Sequence, residues 1–152
     1  MKAKEIMSRD VVYIAPGASL KEAYAVMRSV GVRHLPVVDK HKLVGILSDR
    51  DVLPFTRNHV VVQDGFVDEV MAESPIVASP KTTIARLAEH MLEYKIDSIP
   101  VVDGERMVGL VTSTDLIALL LTPLEPATLL PFEFNLLTPE AFRSRGGQAA
   151  VA

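Results

Sequence analysis

The chain has 152 residues, is 49% hydrophobic and carries a formal net charge of −3. That length suits one compact body or two small ones, and the mixed, slightly acidic charge gives no basis for non-specific binding to nucleic acid or a membrane surface. With no cysteine, disulfides and thiolate metal sites are excluded; no apolar run reaches the ~18 residues of a membrane span, so a cytoplasmic protein is expected.

Lys4 to Met7 predict one helical turn. Val11-Val12-Tyr13-Ile14 reads as a short strand, ended by Pro16-Gly17. Ser19-Leu20-Lys21-Glu22 has the form of a capping box. The helix behind it carries Leu20, Ala23, Tyr24 and Met27 on one face, and Gly31 suits the left-handed position after it. Next come a strand from Leu35, a polar turn at Asp39-Lys40-His41-Lys42 and a second strand from Leu43. Ser48 opens another helix, with Pro54 near its end.

After a join over 54–66 the same order returns, displaced by 64 positions from Asp51 to Asp115. Ile99-Pro100-Val101-Val102-Asp103 repeats Leu35-Pro36-Val37-Val38-Asp39. Thr83 replaces Ser19 as a helix cap, and Ile84, Leu87, Ala88 and Met91 replace the first apolar face. Asp103-Gly104 is a hairpin signal. The displacement exceeds the usual solenoid periods, so this is a duplicated domain. The expected fold is α/β (α+β): two β-α-β-β-α units, at 3–58 and 67–122, packed about a pseudo-twofold axis. Residues 123–152 form a C-terminal extension with a frayed end, in which the apolar stretch Leu129–Leu137 is expected to pack on the body or a partner chain.

The β-α-β-β-α order, the paired (Leu/Ile)-Pro-Val-Val-Asp strands and the Gly-x-x-(Ser/Thr)-x-x-Asp endings resemble the cystathionine-β-synthase (CBS) domain. Two in tandem form the so-called Bateman module, and the resemblance covers roughly residues 3–122, as in small prokaryotic proteins that are little more than a CBS pair. It implies a non-enzymatic regulatory module. Its clefts, between the paired domains, would bind an adenosine-containing ligand: AMP, ADP, ATP or S-adenosylmethionine. Asp51 and Asp115 would hold ribose hydroxyls, and Ser48 and Thr112 would contact ribose or phosphate. Arg33 and His34 stand where nucleotide-binding relatives contact phosphate, and Arg50 could add a cation.

Each of these residues has a plainer reading. Ser48-x-x-Asp51 and Thr112-x-x-Asp115 are capping boxes in form. Arg33, His34 and Arg50 could face water, and the second copy has Asp97-Ser98 where the first has Arg33-His34. A cleft facing Arg33 is therefore expected to prefer phosphate, and one lined by Asp97 to disfavour it. Gly45 and Gly109 are read as room for a purine. The methionines at equivalent places and the three tyrosines are read as core. No metal site is expected from the scattered histidines, and no nucleophile elbow, phosphate loop or zincin motif supports catalysis. Apolar residues beyond one helix face, including Val26, Val30, Leu92 and the run Ile117 to Leu121, predict a homodimer through the helices after Ser48 and Thr112. The alternative function is a ligand-free dimerisation or assembly module whose clefts stay empty.

Overall fold

A computed structural model describes residues 1–62 and 64–121. The expected extension at 123–152, including Leu129–Leu137, lies outside the described residues. The elements run α1 (Ala3–Ile6), α2 (Leu20–Val30), β1 (His34–Asp39), β2 (Lys42–Ser48) and α3 (Asp49–Val52), then a 3₁₀ turn at Leu53–Phe55. A small hairpin of β3 (Thr56–Arg57) and β4 (Val60–Val61) fills part of the join. The second copy supplies α4 (Val67–Val70), β5 (Ala72–Glu73), α5 (Ile84–Tyr94), β6 (Ser98–Asp103), β7 (Arg106–Thr112) and α6 (Ser113–Ala118).

The local signals mostly act as their chemistry requires, but the expected capping box at Ser19–Glu22 is only half formed: among the described residues the Ser19 N–H makes no bond to the Glu22 side chain. Ser19 Oγ accepts the Glu22 backbone N–H at 3.1 Å, and Thr83 Oγ1 accepts that of Arg86 at 3.3 Å; each satisfies one orphan donor of a helix start. Gly31 ends α2 at φ 76°. Its counterpart Lys95 takes the same left-handed turn at φ 54° without a glycine's freedom. Strands β1 and β2 pair antiparallel from His34↔Ser48 to Asp39↔Lys42. Strands β6 and β7 repeat this from Ser98↔Thr112 to Asp103↔Arg106. The two hairpins touch through Lys42↔Arg106, giving the order β1-β2-β7-β6 with β5 on β2. Pro36 and Pro100 sit on the outer strands, where a missing N–H breaks no ladder.

The two cores exchange their first helical turns. Leu20, Met27, Leu35, Val37 and Leu47 of the first copy bury Val67 of the second, with Val70 and Met71 packed beside it. Leu87, Met91, Ile99, Val101 and Val111 of the second copy bury Ala3 of the first, with Ile6 and Met7. Backbone bonds hold each exchange: the Ala3 N–H donates to Thr82 O at 2.8 Å, and the Val67 N–H to Ala18 O at 2.9 Å. Each copy thus closes its partner's core.

Four further expectations change. The run Val11–Ile14 is not a strand: only Ile14 bridges, in parallel, to Val37, as Ala78 does to Val101. Tyr24 is buried but Tyr13 and Tyr94 are exposed, because residues 11–13 lie outside the sheet and Tyr94 is the last residue of α5. Val26 is not surplus but packs on the first core. Gly45 and Gly109 make room for methionine, not purine. A Cβ on Gly109 would fall 2.6 Å from Met7 Sδ and 2.9 Å from the Ser8 carbonyl oxygen; one on Gly45 would strike Met71 Sδ. The equivalent methionines accordingly divide, Met27 and Met91 buried in the cores and Met7 and Met71 half-buried over the opposite copy's glycine.

Candidate functional site: two clefts between the copies

Strands β2 and β7 end at Ser48 and Thr112, which turn directly into α3 and α6. Asp51 Oδ2 accepts from the Ser48 backbone N–H at 2.7 Å and from Ser48 Oγ at 2.8 Å, while the Asp51 N–H donates to Ser48 Oγ at 3.3 Å. Asp115 and Thr112 repeat all three bonds at the same distances. The capping reading therefore holds at both places. It occupies Oδ2 of each carboxylate and leaves Oδ1 without a hydrogen-bond partner among the described residues. Both aspartates are half-buried and line clefts.

One cleft, of about 440 Å³, is lined by Ser48, Asp49, Arg50 and Asp51 of the first copy and by residues 72–76 and 95–98 of the second. The other, of about 290 Å³, mirrors it: Thr112 to Asp115 of the second copy face residues 8, 10–12 and 30–34 of the first. These sizes lie around the lower end of the range for small-molecule sites. Each cleft takes its helix start from one copy and its opposing wall from the other. These walls include Val11 and Val12, expected in a strand, and the equivalent stretch of the second copy. Asp10 to Tyr13 and Ser74 to Val77 make no backbone hydrogen bond among the described residues. The β-branched and aromatic run Val11-Val12-Tyr13 has the composition of a strand; here the N–H and C=O groups of these segments are left for something else to satisfy.

The structure divides the predicted site residues between the clefts. Ser48, Arg50 and Asp51 share the larger one. Arg33, Thr112 and Asp115 share the smaller, and His34 lines both. The expected separation of Arg33 from Asp97 does not occur. Asp97 also lines both clefts, and Arg33 Nη2 donates to its Oδ2 at 3.3 Å. His34 Nε2 lies 2.8 Å from its Oδ1. Positions 33 and 97 are equivalent in the duplication, so residues near the pseudo-twofold axis meet their own counterparts. Glu73 and Lys95, not singled out in the sequence, add one charge of each sign to the larger cleft. Among the described residues, no group of three or more acidic or histidine side chains is placed to hold a metal, and no helix is long and apolar enough to cross a membrane.

Comparison with known proteins gives this arrangement its relatives. The CBS domain model matches twice, over residues 3–57 and 67–122. An inosine-5′-monophosphate dehydrogenase of Korarchaeum cryptofilum is 36% identical over 115 residues, which cover 75% of this chain and 23% of that protein. The chain spans less than a quarter of the length of this and other enzymes of similar rank. The CBS domain-containing protein YhcV of Bacillus subtilis is 30% identical over 115 residues, covering 74% of this chain and 81% of YhcV. Among solved structures, the CBS domain pair of protein MJ0100, in complex with 5′-methylthioadenosine and S-adenosyl-L-methionine, superposes with a TM-score of 0.70 at 31% identity, covering 79% of this chain and 95% of that one. CBSX2 in complex with AMP superposes with a TM-score of 0.68 at 26% identity, covering 79% and 96%. With both halves matched and the duplicated α/β architecture shared, the chain belongs to the CBS domain family, as a tandem CBS pair.

Proposed function

We propose that the chain is a regulatory sensor whose clefts take an adenosine-containing ligand (AMP, ADP, ATP or S-adenosylmethionine) and whose occupancy is passed to a partner protein. The observation that carries this reading is the divided duty of Asp51 and Asp115. Each commits Oδ2 to its own helix start and, among the described residues, leaves Oδ1 without a hydrogen-bond partner, with the residue lining a cleft. A ribose offers two adjacent hydroxyl donors, and a carboxylate accepts both. The backbone at 10–13 and 74–77, unpaired among the described residues, suits the donors and acceptors along an adenine edge. Two relatives, the MJ0100 pair and CBSX2, are described with ligands that share adenosine and differ beyond it. Ser48 and Thr112 then stand beside the ribose or phosphate, and Arg33, His34 and Arg50 stand where a phosphate would be met.

In this reading the chain is not an enzyme, acts in the cytoplasm, and uses residues 3–58 and 67–122 as the two half-sites. It forms a homodimer through helix faces that a single pair leaves bare. Leu92 is 81% exposed and Leu120 76%, with Val30, Ile117 and Leu121 also exposed. The same faces favour the second reading, an assembly module with empty clefts. Thermal melting with AMP, ATP and S-adenosylmethionine separates the two. A ligand at a hundred times its Kd adds about 2.7 kcal/mol, which raises the midpoint of a domain this size by several degrees. No shift with any of the three at millimolar concentration supports the assembly module and overturns the sensor.

A further inference from the structure

We infer that Asp97 is a specificity-determining residue shared by the two clefts, and that it makes phosphate binding in one oppose phosphate binding in the other. The inference rests on the adenosine reading of the clefts and concerns how they are linked. Asp97 and His34 line both cavities, whereas Arg33 lines only the one holding Thr112 and Asp115. In the free chain the Asp97 carboxylate is fully engaged, with Oδ2 on Arg33 and Oδ1 beside His34. His34 is only 12% exposed and Asp97 33%, while Arg33 at 61% is free to swing. The main chain fixes this cluster between the two helix starts. The Arg33 carbonyl accepts the Asp49 N–H, and the Asp97 carbonyl accepts the Ser113 N–H, both at 2.9 Å.

A ligand phosphate entering the Asp115 cleft competes with Asp97 for the Arg33 guanidinium, which Asp97 holds through Nη2 alone at 3.3 Å. When the phosphate wins, Asp97 loses a neutralising cation while still facing the Asp51 cleft. That cleft already carries Asp49, Asp51 and Glu73 against Arg50 and Lys95. The uncovered carboxylate disfavours a second phosphate there and favours a ligand without one, or with a cation in its place. Asp97 thus acts at a distance of one side chain in each direction, without any movement of the backbone.

The test is calorimetric titration of the full chain with AMP and with adenosine, which differ only by the phosphate. Wild type should bind two AMP molecules unequally. Asp97→Asn preserves the shape of the side chain and its backbone bond to Ser113, and removes the charge. It should tighten AMP by roughly two- to fivefold, the range of a partly exposed ion pair, draw the two AMP steps together, and leave adenosine unchanged. Arg33→Gln should weaken AMP in one step only, again sparing adenosine. If both ligands bind and Asp97→Asn leaves the AMP-to-adenosine ratio and the two-step shape unaltered, the link is wrong and the adenosine reading stands. If neither AMP nor adenosine binds wild type, both the link and the reading fall.

Discussion

Alanine at Asp115 should move two observables by different amounts. The change removes the acceptor for the Thr112 backbone N–H at 2.7 Å and for Thr112 Oγ1 at 2.8 Å. Loss of a cap costs ~1 kcal/mol, and this reciprocal one, half-buried and charged, should cost ~1–2 kcal/mol. For a folded unit of this size that lowers the melting midpoint by roughly 3–8 °C. The same change also removes Oδ1, which makes no hydrogen bond among the described residues. If that oxygen holds ribose hydroxyls, AMP affinity at one cleft falls by a further ~1.5–3 kcal/mol, or about ten- to a hundredfold. Asp115→Asn separates the two effects. Its carbonyl can still accept the Thr112 N–H, so most of the stability returns, while the outward oxygen becomes an amide donor or a neutral acceptor. Calorimetry on the folded variants reads the affinity, and thermal melting reads the cap. An asparagine variant that binds AMP as wild type does would refute the ribose role and leave Asp115 a cap alone. Asp51→Ala should behave alike at the other cleft, since its three bonds have the same lengths.

Gly109→Val should destabilise the chain by ~1–3 kcal/mol, because even a Cβ falls 2.9 Å from the Ser8 carbonyl oxygen; an unchanged midpoint in a urea melt would mean that Met7 does not close over β7. Lys95→Gly should not lower the melting midpoint, since it relieves a left-handed non-glycine at φ 54°, yet it should weaken AMP at the Asp51 cleft by removing a cation; equal affinity would take Lys95 out of the site. Leu92→Glu should shift light-scattering mass from dimer toward monomer, because it places a charge at a helix face that is bare in one pair; wild type at monomer mass at micromolar concentration would end the homodimer proposal.

Much of this architecture is legible because the chain states it twice. The (Leu/Ile)-Pro-Val-Val-Asp strand, with its proline on an outer strand, and a hydroxyl three residues before an aspartate each recur at one displacement, and each forms the local structure its chemistry prescribes. The exchange of α1 and α4 is not legible. A repeat says that Ala3 and Val67 are equivalent, but both an exchanged and an unexchanged packing bury them equally well. The choice rests on where the chain between α1 and α2 must run, which is a long-range matter. The Arg33–Asp97 pair escapes sequence reading for a related reason. Opposite charges at equivalent positions attract only if those positions lie near the symmetry axis, and the distance from the axis is set by packing. Tyr13 and Val11–Val12 mislead through composition: the run has the residues of a strand, but its hydrogen-bonding groups lie along a cleft.

The exchange bears directly on what a bound ligand would do. Residues 8 and 10–12 follow α1, which is anchored in the second core, and they wall the cleft whose helix start belongs to the second copy. Residues 72–76 follow α4, anchored in the first core, and wall the cleft whose helix start belongs to the first. Neither copy alone can form a cleft, and neither can complete its core. A ligand that touches both walls therefore stabilises the contacts that join the copies, and its binding energy is added to the unfolding free energy of the whole unit and not to that of one half. Separate expression of one repeat should give a chain lacking both a closed core and a binding site. This construction suits a sensor: occupancy of either cleft is felt where the copies meet, and the half-buried His34–Asp97 contact lies at that junction.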